Sequence, residues 1–308
     1  MYMRIELKEI NTQVTEHRDD YIRTTNAAYK ESLAAIAGDI AKNREEKPII
    51  LLSGPSGSGK TTSALMIEQM LDDQGIQTHT LSLDNYFSPL TDSEKERFAR
   101  GELDLESPNR IDSDFLTDQL DRIYRCEPVE LPIYDFKEST RIQRGNILHR
   151  KPGELVILEG IHSLNPDVVG LPDEQTAKIY VSVRTRITQD GVELHPSKIR
   201  LMRRLVRDLL FRKRSFADTL MMFTSVEEGE NKYIMPYKYR STYDVDTLMA
   251  YEICAYKDFL LDALREMTQM PVVRDMIEFL ENSVCLDPGS ITPDSLVCEF
   301  IGGGQFGN

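Results

Sequence analysis

The sequence predicts an α/β fold, a mostly parallel central sheet flanked by helices, and three observations carry that prediction. Short apolar runs without alternation recur along the chain with helical patterns between them, as strands covered on both faces by crossover helices require. The first run, "KPIILLSG", passes into "GPSGSGKTT" and then a helical pattern, so a glycine turn joins strand to helix. A leucine-spaced, arginine-rich helix is expected over 196–212, where it reads as a lid on the sheet's rim.

Taken in order, residues 1–46 read as an N-terminal extension: an irregular or β lead-in, then a helix in "DYIRTTNAAYKESLAAIAGDIAKN". Its Tyr29, Leu33, Ile36 and Ile40 lie four, three and four residues apart and give it one packing face, expected to support the main domain or an oligomer. The main domain is expected over 47–250. After the first strand, further strands are expected at "QTHTLSLD" (77–84), "LVILEG" (155–160) and "KIYVSV" (178–183), with a fifth near "YDVDTLM" (243–249). Helices are expected at 61–73, 112–125, 196–212 and 251–266. The segment 87–111 is charged, weakly periodic and holds two prolines; it reads as an excursion that binds substrate. Residues 251–308 form a C-terminal helical extension. Its glycine-rich end, "CEFIGGGQFGN", has no helix after the glycines, so a flexible or surface-docked tail is expected and not a phosphate site.

A formal charge of −14 argues against a nonspecific nucleic-acid partner, since phosphate backbones would be repelled. No apolar run approaches the roughly 20 residues that span a bilayer, and the charged start lacks a signal-peptide core. Cys126, Cys254, Cys285 and Cys298 are scattered without CxxC spacing, which fits reduced, buried cysteines in a cytoplasmic protein. One stretch opposes the overall acidity: Lys198 to Arg214 holds eight basic residues and one acid, Asp208. It reads either as a local anion site or as a solvated helix face.

Gly54, Ser56, Gly57, Ser58, Gly59, Lys60 and Thr61 lie within a complete G-x-x-x-x-G-K-[ST] match, with Thr62 following, between strand and helix; the context makes this a P-loop. Glycines let backbone N–H groups close around phosphate oxygens, and the helix starting near Lys60 adds its positive end. Lys60 reaches the β- and γ-phosphates, and the Thr61 hydroxyl is placed to ligate Mg²⁺. There is no NKxD base-reading motif, the nearest string being "NKYI" at 231–234, and no LSGGQ string.

Asp84 ends the second strand and Glu159 the third, both at the carboxyl edge where open parallel sheets bind ligands. Glu159 is expected to hold the metal directly or through water, and Asp84 to accept a hydrogen bond from an attacking hydroxyl; either acid alone would also serve as a turn former. Arg203, Arg204 and Arg207 share a helical sector, and Leu201, Leu205 and Leu209 form a separate apolar stripe. Such a helix packs by leucines and closes arginines over triphosphate charge, excluding water.

With these pieces the chain resembles the uridine kinase and phosphoribulokinase family of P-loop kinases over roughly 48–250. The strings "GPSGSGKTT", "LSLDNYF", "DLESPNRID", "LPIYDFKESTR", "LVILEGIHSLNP" and "RLMRRLVRDLLFRKRS" occur in the family's order. It looks closer still to bacterial uridine kinase-like nucleoside kinases through "DNYF", "ESP" and "EFIGG". The resemblance implies that Asp84 meets the acceptor hydroxyl and the metal neighbourhood, that Glu159 is the second metal-site acid, and that Tyr134 and Phe136 line a nucleoside pocket. It also implies that Arg204 approaches the acceptor, while Arg207, Arg212 and Arg214 face nucleotide phosphates. Phe87, Glu106 and Arg141 complete the expected acceptor side. Two departures bear on specificity: Glu106 stands where uridine kinases grip the ribose with Asp, and Ser139 stands where they read the base with His. His162 either compensates or is simply buried. The expected activity is transfer of the ATP γ-phosphate, with Mg²⁺, to a hydroxyl, foremost the 5′-hydroxyl of uridine or cytidine. A sugar phosphate or pantothenate-like acceptor, served by Arg141 and Arg144, and a slow nucleotide-binding regulatory module remain as alternatives. The family resemblance also implies a homo-oligomer.

Overall fold

The computed structural model describes residues 2–142 and 146–306. The chain begins with β1 (Arg4–Glu6) and two helices, α1 (Leu7–Glu16) and α2 (Arg18–Lys42). β2 (Ile49–Ser53) leads through the glycine turn into α3 (Lys60–Asp72), and β3 (Thr78–Ser82) runs into a 3-10 turn, Leu83–Tyr86. Within the excursion, Thr91 and Glu94 form a capping box that starts α4 (Asp92–Ala99); α5 (Ser113–Tyr124) follows. The short strands β4 (Val129–Glu130), β5 (Ile133–Asp135), β6 (Thr140–Ile142) and β7 (Ile147–Leu148) pair antiparallel as β4–β7 and β5–β6.

β8 (Leu155–Glu159) and β9 (Thr176–Ser182) return to the main sheet, and β10 (Arg186–Gln189) and β11 (Val192–Leu194) join β1 in a separate three-stranded sheet. Then come α6 (Pro196–Phe211), α7 (Phe216–Gly229), β12 (Tyr243–Asp246), α8 (Glu252–Arg265), α9 (Arg274–Asn282) and the short α10 (Cys298–Ile301). The central sheet has the order β12-β9-β2-β8-β3, every pairing parallel. The five expected strands are therefore its five members.

β2 is buried along its whole length, and its pleat divides the core. Ile50 and Leu52 join α1, α2, α3, α6 and α8 on one side; Ile49 and Leu51 join Tyr86, Leu116 and Leu120 on the other. Helix α2 packs on the helix after the glycine turn, where the Tyr29 hydroxyl lies 2.7 Å from Ser63 Oγ. No described helix is long and apolar enough to cross a membrane.

Three expectations need correction. The run leading into the glycines is core and not tail: Leu296, Val297 and Phe300 are fully buried, because this apolar run inserts between the glycine turn and α6, while residues 302–306 lie half-buried or exposed at the surface. The leucine stripe of α6 stops early; Leu201 and Leu205 are buried, but Leu209 lies past the edge of the core and is 41% exposed. Cys254 and Cys298 are buried as expected, whereas Cys285 is exposed; all four are free thiols. Arg144 lies outside the described residues.

Candidate active site

Parallel register brings the chemistry to one edge. Glu159, the last residue of β8, stands opposite Leu52 of β2 and Ser82 of β3. The glycine turn leaves β2 immediately after Ser53, whose hydroxyl donates to the Ile161 carbonyl at 2.9 Å and ties the two strand ends together. Gly54 must be glycine: a Cβ there would lie 2.0 Å from the Val181 carbonyl oxygen of neighbouring β9. Gly59 caps α3 in the left-handed region at φ +85°, a conformation L side chains rarely adopt.

Lys60, Asp84 and Glu159 face one another at this edge, close enough to perturb each other's charge. Asp84 lies in the 3-10 turn just beyond β3 and not on the strand itself. It is open to the cleft, yet protein surrounds it on most sides; that enclosure raises its carboxyl pKa, against the pull of Lys60 and Arg212. Glu159 is pushed up to about 7, first by burial and then by Asp84, although Lys60 and the Ser82 hydroxyl oppose the shift. Burial likewise lowers the Lys60 ammonium, which donates to the Pro55 carbonyl at 3.1 Å. Thr61 beside it is exposed to the cleft. Two enclosed acids that disfavour their own charge, with a hydroxyl next to them, form a donor set that suits a hard dication such as Mg²⁺.

The arginine helix divides into two parts. Its N-terminal half grips the glycine turn from outside: Arg200 Nη1 donates to the Ser56 carbonyl at 3.1 Å, Arg203 Nη1 to the Gly57 carbonyl at 3.1 Å, and Arg204 Nη1 to the Ser56 hydroxyl. Arg203 is fully buried in a two-pronged pair with Glu252, at 2.6 and 2.8 Å, and donates to the Thr247 carbonyl. Arg203 is thus a strut of the turn and not a lid residue, because its partners lie inside the core. Burial and the neighbouring Arg207 pull Arg204 down to about 10, while Glu106 opposes the shift. Arg204 therefore sits between the turn and the acceptor-side acid.

Beyond it, Arg207, Arg212 and Arg214 converge on the fully buried Asp208 at 3.3, 3.6 and 3.1 Å. Three guanidinium groups share one carboxylate that also accepts from the Thr219 hydroxyl, which leaves net positive charge facing the cleft. Helix α6 thus clamps the glycine turn with its first half and gathers an arginine cluster around Asp208 at its far end.

On the acceptor side, Phe87, Tyr134 and Phe136 form a ring cluster with edge-on contacts, at centroid distances of 5.6 Å (Phe87–Tyr134), 6.1 Å (Phe87–Phe136) and 5.0 Å (Tyr134–Phe136). Asn85 Oδ1 accepts from the Tyr134 amide at 3.2 Å and anchors the cluster beside Asp84. Phe136 is 62% exposed at the outer side of the cluster. Glu106 is enclosed and its pKa raised by burial, against Arg204 and Lys60.

Arg141 is committed elsewhere: Nη2 donates to Asp112 at 2.9 Å and the guanidinium lies over the Phe115 ring. His162 is buried; its Nε2 donates to the Glu106 carbonyl at 2.8 Å, and desolvation lowers it to about 4, so it fixes the Glu106 backbone as a neutral ring.

Three residues carry weight that sequence reasoning did not give them. Arg110, in the quoted "ESPNRID", is buried between the Ser88 carbonyl, at 3.0 Å, and Glu94, at 3.5 Å. Arg200 was legible only as one basic residue among eight. Glu299, near the chain's end, accepts from the Thr62 hydroxyl at 2.6 Å and from its amide at 3.3 Å.

Comparison with known proteins agrees with the fold. A protein of Silicibacter sp. TM1040 proposed to be a fructose transport system kinase superposes with a TM-score of 0.53, covering 69% of this chain and 98% of that one at 18% identity, a likeness of fold. The uridine kinase of Lactobacillus helveticus (strain DPC 4571) is 34% identical over 196 residues, 63% of this chain and 83% of that protein. That of Ligilactobacillus salivarius (strain UCC118) is 34% identical over 198 residues, 64% and 84% of the two chains. The sequence model of the Phosphoribulokinase / Uridine kinase family matches residues 49–253. The chain belongs to that family, and is accordingly an ATP-dependent phosphotransferase that acts on a hydroxyl.

Proposed function

We propose that the protein is a nucleoside kinase that transfers the γ-phosphate of ATP to the 5′-hydroxyl of uridine or cytidine. The observation that carries this reading is the character of the acceptor cleft. Three aromatic rings, Phe87, Tyr134 and Phe136, stand beside Asp84, while the described arginines next to them, Arg110 and Arg141, are each paired with a carboxylate. Rings offer stacking to a planar base, and neutralised arginines offer little to an anionic acceptor such as a sugar phosphate.

In this reading the amides of Gly57, Ser58, Gly59, Lys60, Thr61 and Thr62 hold the donor's phosphates. Asp84 orients the acceptor hydroxyl, whose oxygen bonds to the γ-phosphorus as the bond from that phosphorus to the β,γ-bridging oxygen breaks. The hydroxyl proton passes to Asp84. Glu106 grips the ribose, and Arg204 bridges that acid and the glycine turn. Arg207, Arg212 and Arg214 neutralise charge on the transferring group and exclude water. Thr61, Glu159 and Asp84 would hold Mg²⁺, which would supply charge neutralisation at the phosphates.

The test is ADP formation from ATP across a panel of nucleosides, sugar phosphates and pantothenate. Stimulation by uridine or cytidine of at least tenfold over the acceptor-free rate is expected. Stimulation by an anionic acceptor alone, or by none, would overturn the reading.

A further inference from the structure

The mechanism makes no use of Glu299, yet its carboxylate sits on the anion-binding end of α3. Thr62 is the third residue of that helix, so its amide is one of the donors a helix start leaves without an intrahelical partner. In a P-loop those donors face phosphate oxygens. Here the Thr62 amide and hydroxyl are both taken by Glu299 Oε2. Thr62 is buried beneath that contact.

The rest of the segment holds the carboxylate in place. Leu296 presses on the turn so closely that a Cβ on Gly59 would lie 2.6 Å from its Cδ1. Phe300 is buried with the Arg203 guanidinium 5.1 Å from its ring centroid. Upstream, Thr292 accepts from Asn26 at 3.1 Å, Asp294 pairs with Lys30, and Ser295 Oγ lies 2.7 Å from the Tyr251 hydroxyl. Downstream, Gly302 and Gly303 turn the chain at φ +87° and +75°. At Gly302 the segment meets Phe211, the last residue of α6, directly before Arg212.

We propose that residues 292–302 form an autoinhibitory strap, in which the Glu299 carboxylate occupies the seat of a nucleotide phosphate on Thr62 and must leave it for a nucleoside triphosphate to bind fully. One amide cannot serve two anions, and a carboxylate beside Lys60 repels an incoming phosphate electrostatically as well. Because the strap touches the end of α6, its release also frees the residue that leads into the lid arginines. The proposal rests on the reading of the glycine turn as a nucleoside triphosphate site.

The experiment is calorimetric binding of ADP with Mg²⁺ to the full chain, to Glu299→Ala and to Glu299→Gln. Loss of the competing anion is expected to tighten binding about tenfold for Glu299→Ala, one 1.4 kcal/mol step, with Glu299→Gln between it and wild type. Equal or weaker binding by both variants overturns the strap while leaving the nucleotide reading intact. No binding to wild type or to either variant overturns both. Binding to Glu299→Ala alone is the strongest support. Hydrogen exchange on wild type decides the matter if the variants fold poorly: amides of 296–302 should exchange faster with ADP present, and unchanged or slower exchange refutes release.

Discussion

Replacing Glu159 with glutamine should stabilise the protein without ligand at alkaline pH and abolish that advantage in acid. The carboxyl is raised from its ordinary value of 4.5 to about 7, chiefly by burial. A raised acid leaves the folded state unpenalised below pH ~4.5, where it is protonated in both states. The cost grows as pH rises toward 7 and is complete above it. At about 1.4 kcal/mol per pH unit of displacement, keeping this side chain ionised costs the folded state roughly 3 kcal/mol at pH 8, before relaxation reduces it. Glutamine carries no charge to desolvate, so Glu159→Gln should melt about 5 °C higher at pH 8 in chelator, an order-of-magnitude conversion. The gap should close as pH approaches 4.5. Melting curves at pH 5 and pH 8 measure both arms. With Mg²⁺ and ATP the order should reverse, because only the carboxylate gains from a bound dication. A variant that melts at or below wild type at pH 8, or gains equally at both pH values, would refute the electrostatic assignment of Glu159.

Other consequences are more direct. Glu252→Leu strands the buried Arg203 guanidinium and should cost about 3–5 kcal/mol in urea unfolding, with partial recovery when Arg203→Met is added. Phe136→Ala should raise the KM for the nucleoside about tenfold while leaving nucleotide affinity within about twofold, since one stacked base is worth roughly 1–3 kcal/mol. Steady-state kinetics with each substrate varied separates the two effects.

Much of the fold could be read from the chain because local signals there carry the physics. β2 and β8 are short apolar runs, and β2, buried from Ile49 to Ser53, shows why no alternation marks it. The glycine turn announces itself through residue types that backbone geometry demands at Gly54 and Gly59. What escaped notice is set by distant partners. Arg203 looked like its neighbours on α6; only Glu252, 49 residues on, makes it a core strut. Glu299 reaches Thr62 across 237 residues, so no spacing rule could pair them. Three-residue strands such as β1 and β11 are too short for any periodicity to register. Arg141 reads as an acceptor-side cation until Asp112 and Phe115 are seen to hold it.

The most direct test is product formation by Asp84→Asn with ATP and uridine, followed by phosphorus NMR alongside ADP affinity. Removing the proton acceptor at the edge of β3 should lower turnover by roughly 10²- to 10⁴-fold while ADP binds within about twofold of wild type. Nucleoside monophosphate formed at the wild-type rate would contradict the account, because the aspartate would then neither orient the hydroxyl nor take its proton.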